Sequence, residues 1–112
     1  MYDISYSSKS IRCTLEFLNW VKKLDRSVRI RIDQRIQRLA HGNTGLHKRF
    51  DNILEIKWKT GLMGSFRIYC VESNGFILLL GGDKSSQKSD IRKVKQLILG
   101  VSSGKIRVQT YE

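Results

Sequence analysis

Residues 76–100 read FILLLGGDKSSQKSDIRKVKQLILG, and two different periods meet inside them. Phe76 to Leu80 is apolar at every position, the pattern of a central strand covered on both faces. Beyond it Ile91, Val94, Leu97 and Ile98 recur at helical spacing, which predicts a helix that Gly100 ends. The run Gly81-Gly82-Asp83-Lys84-Ser85-Ser86 breaks the strand, and Asp83 is placed to cap the helix or to take part in chemistry beside Lys84. A strand buried on both faces requires further strands beside it, and the preceding chain supplies them.

Leu54, Ile56 and Trp58 alternate with Glu55, Lys57 and Lys59, a strand with one polar face. Phe66, Ile68 and Cys70 alternate with Arg67, Tyr69 and Val71 in a second strand, and Gly61 and Gly64 bracket the turn between them. Asn74-Gly75 then marks a hairpin into the central strand, because both residues accept positive φ. Further back the period is helical. Val28, Ile32, Ile36 and Leu39 form the apolar stripe of a helix that Asp25 or Ser27 can cap and Gly42-Asn43 can stop. Its opposite face carries Arg31, Arg35 and Arg38, placed for phosphates, for an acidic partner, or simply for water. Ile11 to Leu24 predicts an earlier helix with Leu15, Leu18, Val21 and Leu24 on one face, widened by Ile11, Phe17 and Trp20, and with capping hydroxyls in Ser8 to Ser10. The short link between these helices predicts a hairpin. Tyr2, Ile4 and Tyr6 alternate with Asp3, Ser5 and Ser7 as a half-buried first strand.

This order predicts a single small α+β domain, in which an N-terminal strand and a helical hairpin pack on an antiparallel sheet with a C-terminal helix. Residues 1–100 make up that domain. Residues 101–112 form an extension beyond a Ser-Ser-Gly hinge; its KIRVQTY segment alternates, and an edge strand, ordering on a partner and a loose end all fit it.

Lys and Arg total 21 against 10 Asp and Glu, a formal net charge of +11 on 112 residues. Self-repulsion of that size opposes folding, so the imbalance points to a polyanionic partner. Nucleic acid comes first, with a membrane surface or an acidic protein as alternatives. Cys13 and Cys70 show no CxxC spacing and read as core fillers in a reducing cytoplasm. The start MYDISYSS lacks the apolar core of a signal peptide, and no apolar run is long enough to cross a bilayer. No zinc pattern, Walker loop, dinucleotide fingerprint or nucleophile elbow is present, so neither metal nor cofactor is expected. His41 reads as a helix C-terminal residue, and His47 as a surface residue or a general base.

Arg67, Lys57 and Lys59 fall on the polar faces of adjacent strands, and Tyr69 follows Arg67 on the same face. Such a cluster can hold a phosphate and offer a ring to a base, although a lysine-rich edge that resists aggregation reads the same way. Cleaving RNA without a metal requires three things: a group that deprotonates or positions the ribose 2′-hydroxyl, cations on the phosphorane, and a proton for the leaving 5′-oxygen. Lys84 emerges from the loop after the central strand, beside this face. Lys59, Gln87, Lys48 and Arg49 are the candidate RNA contacts around it.

The segments QRIQRLAHGNTGLHK (34–48), LEIK (54–57), FRIYC (66–70) and LLLGGDKSSQKSDIRKVKQLI (78–98), with the tryptophan of FLNWVKKL, resemble the addiction-module killer proteins of the RelE/HigB superfamily. The likeness spans roughly residues 14 to 98 and is most specific in LLLGGDKSSQKSDI. It implies a RelE-like fold and a metal-independent, ribosome-dependent mRNA endoribonuclease, the toxin of a toxin-antitoxin pair. The implied partners are mRNA on the ribosome and a small helix-turn-helix antitoxin. Arg67 and Tyr69 match the family's Tyr-Arg-Val-Tyr strand, and Lys84 and Gln87 match its Asp-Lys-Ser-Ser-Gln run. Lys57 stands where the family usually has the arginine of Glu-Leu-Arg, which keeps the charge and loses the bidentate fork. Phe66 replaces a common tyrosine, and the turn before it is longer and lacks the family's proline. A non-catalytic RNA- or ribosome-binding protein, and a module that receives an acidic antitoxin segment, are the other readings of this scaffold.

Overall fold

The computed structural model describes residues 9–45, 47–59, 65–83 and 87–111. Strand β1 (Ile11–Thr14) runs directly into helix α1 (Leu15–Lys22), and α2 (Arg26–Ala40) follows. Strands β2 (His47–Phe50), β3 (Ile53–Lys59), β4 (Ser65–Glu72) and β5 (Phe76–Asp83) come next, then α3 (Gln87–Ser102) and β6 (Val108–Thr110). The sheet order is β2-β3-β4-β5-β1-β6. The expected α+β class holds, with one correction to the sheet: it is mostly rather than wholly antiparallel, because β1 lies parallel to β5.

Phe76 through Gly82 is buried at every residue, as a strand covered on both faces should be. The Asn74-Gly75 turn leads into it with φ of 52° and 109°, the positive values the hairpin requires. A bulge sets the phase of its second half: Tyr69 pairs with Leu80 while Cys70 pairs with Leu78, so Leu79 is the extra residue. Phe76 and Leu78 therefore face one core, Ile77, Leu79 and Leu80 face the other, and Gly81 returns to the first. A Cβ at Gly81 would lie 2.1 Å from the Trp20 ring, so only glycine lets α1 approach this closely.

Helices cover both faces. Phe17 and Val21 of α1, with Val28, Ile32, Ile36 and Leu39 of α2, pack on Leu54, Ile56, Ile68, Cys70 and Leu78. On the other side Val94 and Leu97 of α3 pack on Ile53, Tyr69, Ile77 and Leu79. The predicted stripe of α2 is buried throughout, and Gly42 at φ 91° ends it through bonds from Gly42 N to Leu39 O and from Asn43 N to Arg38 O. Both cysteines are buried, which holds their thiols protonated: Cys13 is pushed up to about 11 and Cys70 to about 12.

Five local expectations change. Ile11 to Thr14 is a strand rather than the first helical turn, because β5 and β6 bond its backbone on either side. Thr14, not the serines before it, caps α1: its Oγ1 accepts from Phe17 N at 3.1 Å and donates to Leu79 O at 2.8 Å. Leu15, the first member of the predicted stripe, is 60% exposed. Arg35 does not share a solvated row with Arg31 and Arg38. It is buried, and its guanidinium donates to the carbonyls of Asn43 and Thr44, holding the loop after α2. Gly100 does not end α3 but lies inside it, where a Cβ would meet Ile106 at 2.3 Å. Residues 101–112 resolve the open alternatives as far as Tyr111: they finish α3 and add β6 antiparallel to β1. The strand expected at Tyr2 to Ser7 and the turn at 60–64 lie outside the described residues.

Candidate functional site

Two cross-strand rows build the polar end of the α3 side of the sheet. In the first, Lys48, Glu55, Tyr69 and Leu80 stand opposite one another on β2, β3, β4 and β5. In the second, Lys57, Arg67 and Gly82 do so on β3, β4 and β5. Directly paired residues of antiparallel strands share a face, so both rows project toward α3. Gly82 offers no side chain, and the Arg67 guanidinium lies over this position with Nη1 3.5 Å from Asp83 O. Without the bulge at Leu79, Gly81 would occupy this place and Leu80 would stand opposite Ile68, against Trp20.

Glu55 is the centre of the cluster. Its side chain is fully buried, and three groups converge on it. Arg67 Nε stands 3.6 Å from Oε2, Lys57 Nζ 3.8 Å from Oε1, and Gln87 Nε2 donates to Oε2 at 3.1 Å. A single ion pair at this spacing gains roughly 4–5 kcal/mol at an effective dielectric near 20. Removing one carboxylate from water costs several kcal/mol, so one cation barely offsets the burial and two cations with an amide do. Gln87 reaches the carboxylate because it is the first residue of α3, and the helix sets down beside the two rows.

The two cationic neighbours differ in access. The Arg67 side chain is 11% exposed, whereas that of Lys57 is 37% exposed and presents its charge to solvent. Tyr69 lies beneath both with no exposed ring, so the stacking surface expected of it is absent. Its hydroxyl stays protonated, its pKa raised first by burial and then by the Glu55 carboxylate beside it. Glu55 Oε1, Arg67 Nε and Tyr69 Oη are enclosed together and make no hydrogen bond of ordinary length among the described residues. The cluster is held by charge more than by hydrogen bonding.

The structure thus brings together Arg67, Lys57, Tyr69 and Gln87, with Lys48 on the edge strand of the same face. The Lys48 ammonium rests over the Phe50 ring at 5.9 Å. Arg49 belongs to the opposite face, where it pairs with Glu72 at 2.9 Å and shares that carboxylate with Lys9 at 3.5 Å. Arg49, the stronger partner, holds the Glu72 carboxyl below its ordinary pKa. His47 also faces away, opposite Ile56, with Nδ1 beside Gly45 O and Thr44 Oγ1. It therefore cannot act as a base at this cluster. Lys59 is placed by its backbone opposite Ser65, and its side chain lies outside the description, as does Lys84.

Glu55 is the residue that sequence reasoning passed over. Alternation assigns it to a solvated face, and that face is covered only because β2 flanks β3 and Gln87 closes over it. The one hint in the sequence is its place between Leu54 and Ile56, both core residues. Among the described residues no group of histidines, cysteines and carboxylates could hold a metal ion, and no helix is long and apolar enough to cross a membrane.

No protein-family model matches the chain, and no solved structure does. An uncharacterized protein of Haemophilus influenzae is 41% identical to it over 91 residues, a match that covers 78% of this chain and 90% of that one. At that identity and coverage the chain belongs to the same family as the Haemophilus influenzae protein.

Proposed function

We propose that this protein is the toxin of a toxin-antitoxin pair, a ribosome-dependent mRNA endoribonuclease of the RelE/HigB kind that works in the cytoplasm without a metal. One observation carries the reading: Arg67 and Lys57 stand opposite each other around a buried carboxylate, on a face flanked by Lys48. The family resemblance in LEIK, FRIYC and GGDKSSQ falls on the strands and helix start that make this face. The net charge of +11 fits a polyanionic target.

In this reading the ribose 2′-oxygen attacks the adjacent phosphorus and its proton is withdrawn. The bond from phosphorus to the 5′-oxygen breaks and that oxygen takes up a proton. The products are a 2′,3′-cyclic phosphate and a 5′-hydroxyl. Arg67 and Lys57 supply the positive charge that the phosphorane needs, and Glu55 with Gln87 holds Arg67 in place. Tyr69 forms the floor of the site, and Lys84 acts as the resemblance implies. The antitoxin is a small helix-turn-helix protein.

The test is in vitro translation with purified protein, followed by primer extension on the mRNA with and without ribosomes. Cuts confined to translated mRNA and lost in Lys57→Ala support the reading; the half-exposed Lys57 can be removed without emptying the core. Intact mRNA at excess protein rejects it. A second reading, RNA or ribosome binding without cleavage, is favoured by the restricted access to Arg67 and by lysine at position 57. It expects log affinity to fall by about 0.7 per phosphate contact for each tenfold rise in salt on single strands.

A further inference from the structure

A second surface lies on the other side of the sheet, where α1, α2 and the end of the chain enclose a groove of about 360 Å³. That volume is at the small end of ligand-binding clefts, which run from about 300 to 1,000 Å³. Leu18 and Val21 of α1, Ile30 of α2 and the Tyr111 ring give the groove apolar walls. Ile30 is 47% exposed, one of the few large apolar side chains that the fold leaves in water. Tyr111 is locked in place: its backbone N–H donates to Ile11 O, its ring meets Phe17 edge-on, and its hydroxyl donates to Asp33.

Three cations rim this apolar floor. Lys22 closes α1, while Arg26 and Arg29 occupy the first turns of α2. Arg29 Nε is enclosed and meets no acceptor among the described residues. Asp33 stands one turn farther along α2, at the Tyr111 end. Positive charge is therefore concentrated at the α1–α2 junction, with a carboxylate at the far end.

This arrangement favours protein over nucleic acid. A polynucleotide carries a charge at every step and would run past the Asp33 carboxylate. An amphipathic helix can set aliphatic side chains on the floor and place its carboxylates at the junction alone. We propose that the groove receives an acidic amphipathic helix of a partner protein, its aliphatic side chains on Leu18, Val21 and Ile30 and its carboxylates on Lys22, Arg26 and Arg29. This surface is independent of the RNA reading, because α1 and α2 cover the sheet face opposite Glu55.

The test is a fluorescence-anisotropy titration of the full chain with a labelled helical peptide carrying leucines on one face and glutamates on the other. The wild-type chain should bind it. The Arg26→Glu/Arg29→Glu variant and the Ile30→Asp variant should each weaken binding about tenfold or more, and Lys57→Ala should leave it unchanged. Ile30 is already half in water, so its substitution keeps the test valid if the double charge reversal perturbs folding. No binding by the wild-type chain overturns the proposal, as does full affinity in both groove variants. Loss of binding in Lys57→Ala would move the peptide to the other face. A single-stranded RNA oligonucleotide that loses affinity on the same groove variants would make the groove a nucleic-acid surface instead.

Discussion

The two faces of the sheet solve the same problem with different materials. Under α1 and α2 the side chains are apolar from β1 to β3, and the face is closed by the contact of Phe17 with Trp20 and of Trp20 with Gly81. Under α3 the apolar contact stops at Tyr69 and Leu80, and the next positions hold Glu55, Lys57 and Arg67. One helix covers only part of a six-stranded sheet, so its uncovered end can carry charge. The closed face stabilises the fold; the half-covered one has room for chemistry. The charges there are nonetheless packed, with a carboxylate taken fully out of water to position two cations.

That contrast can be broken at its strongest point first. Phe17→Ala empties the centre of the closed face and should cost about 3–5 kcal/mol, measured by urea unfolding. A loss near 1 kcal/mol would mean that α1 is not the keystone of that core. On the charged face, Arg67→Ala leaves Glu55 with Lys57 as its only cation among the described residues and should cost about 2–3 kcal/mol. Adding Glu55→Ala should then restore stability rather than lower it further, a coupling well above 0.5 kcal/mol in a double-mutant cycle. Additive losses would show that Arg67 and Glu55 contribute independently. The smallest effect tests the helical stripe itself: Leu15→Gln should change stability by no more than about 0.5 kcal/mol, since Leu15 is already in water.

Much of this was legible in the chain. The buried run at 76–80, the Asn74-Gly75 hairpin, the stripe of α2 and its glycine stop all follow from local chemistry, and each is found where expected. The misjudged positions are those at which a distant segment overrides a local pattern. Ile11 to Thr14 carries a helical period, yet its backbone is claimed by β5 and β6. Arg35 has the spacing of a solvated row, yet the loop at 43–45 folds back over it. Of the expected site residues, Arg67, Lys57, Tyr69 and Gln87 gather as alternation and resemblance implied. Arg49 departs, because β2 turns it to the other face, where His47 also lies as an exposed residue.

By itself the sequence determined most of the element types, the α+β class and the polar face of β3 and β4, because period, turn residues and charge are local properties of the chain. Tertiary structure alone decided that Glu55 is buried, that Tyr69 is a floor rather than a stacking surface, and that the last residues join the sheet. Each of these depends on what lies across a strand or under a helix. A bulge at a single residue, Leu79, puts Gly81 rather than Leu80 against Trp20, and Gly82 rather than Gly81 beside Arg67. No local pattern in the sequence carries that phase, since it is set only when β4 and β5 pair.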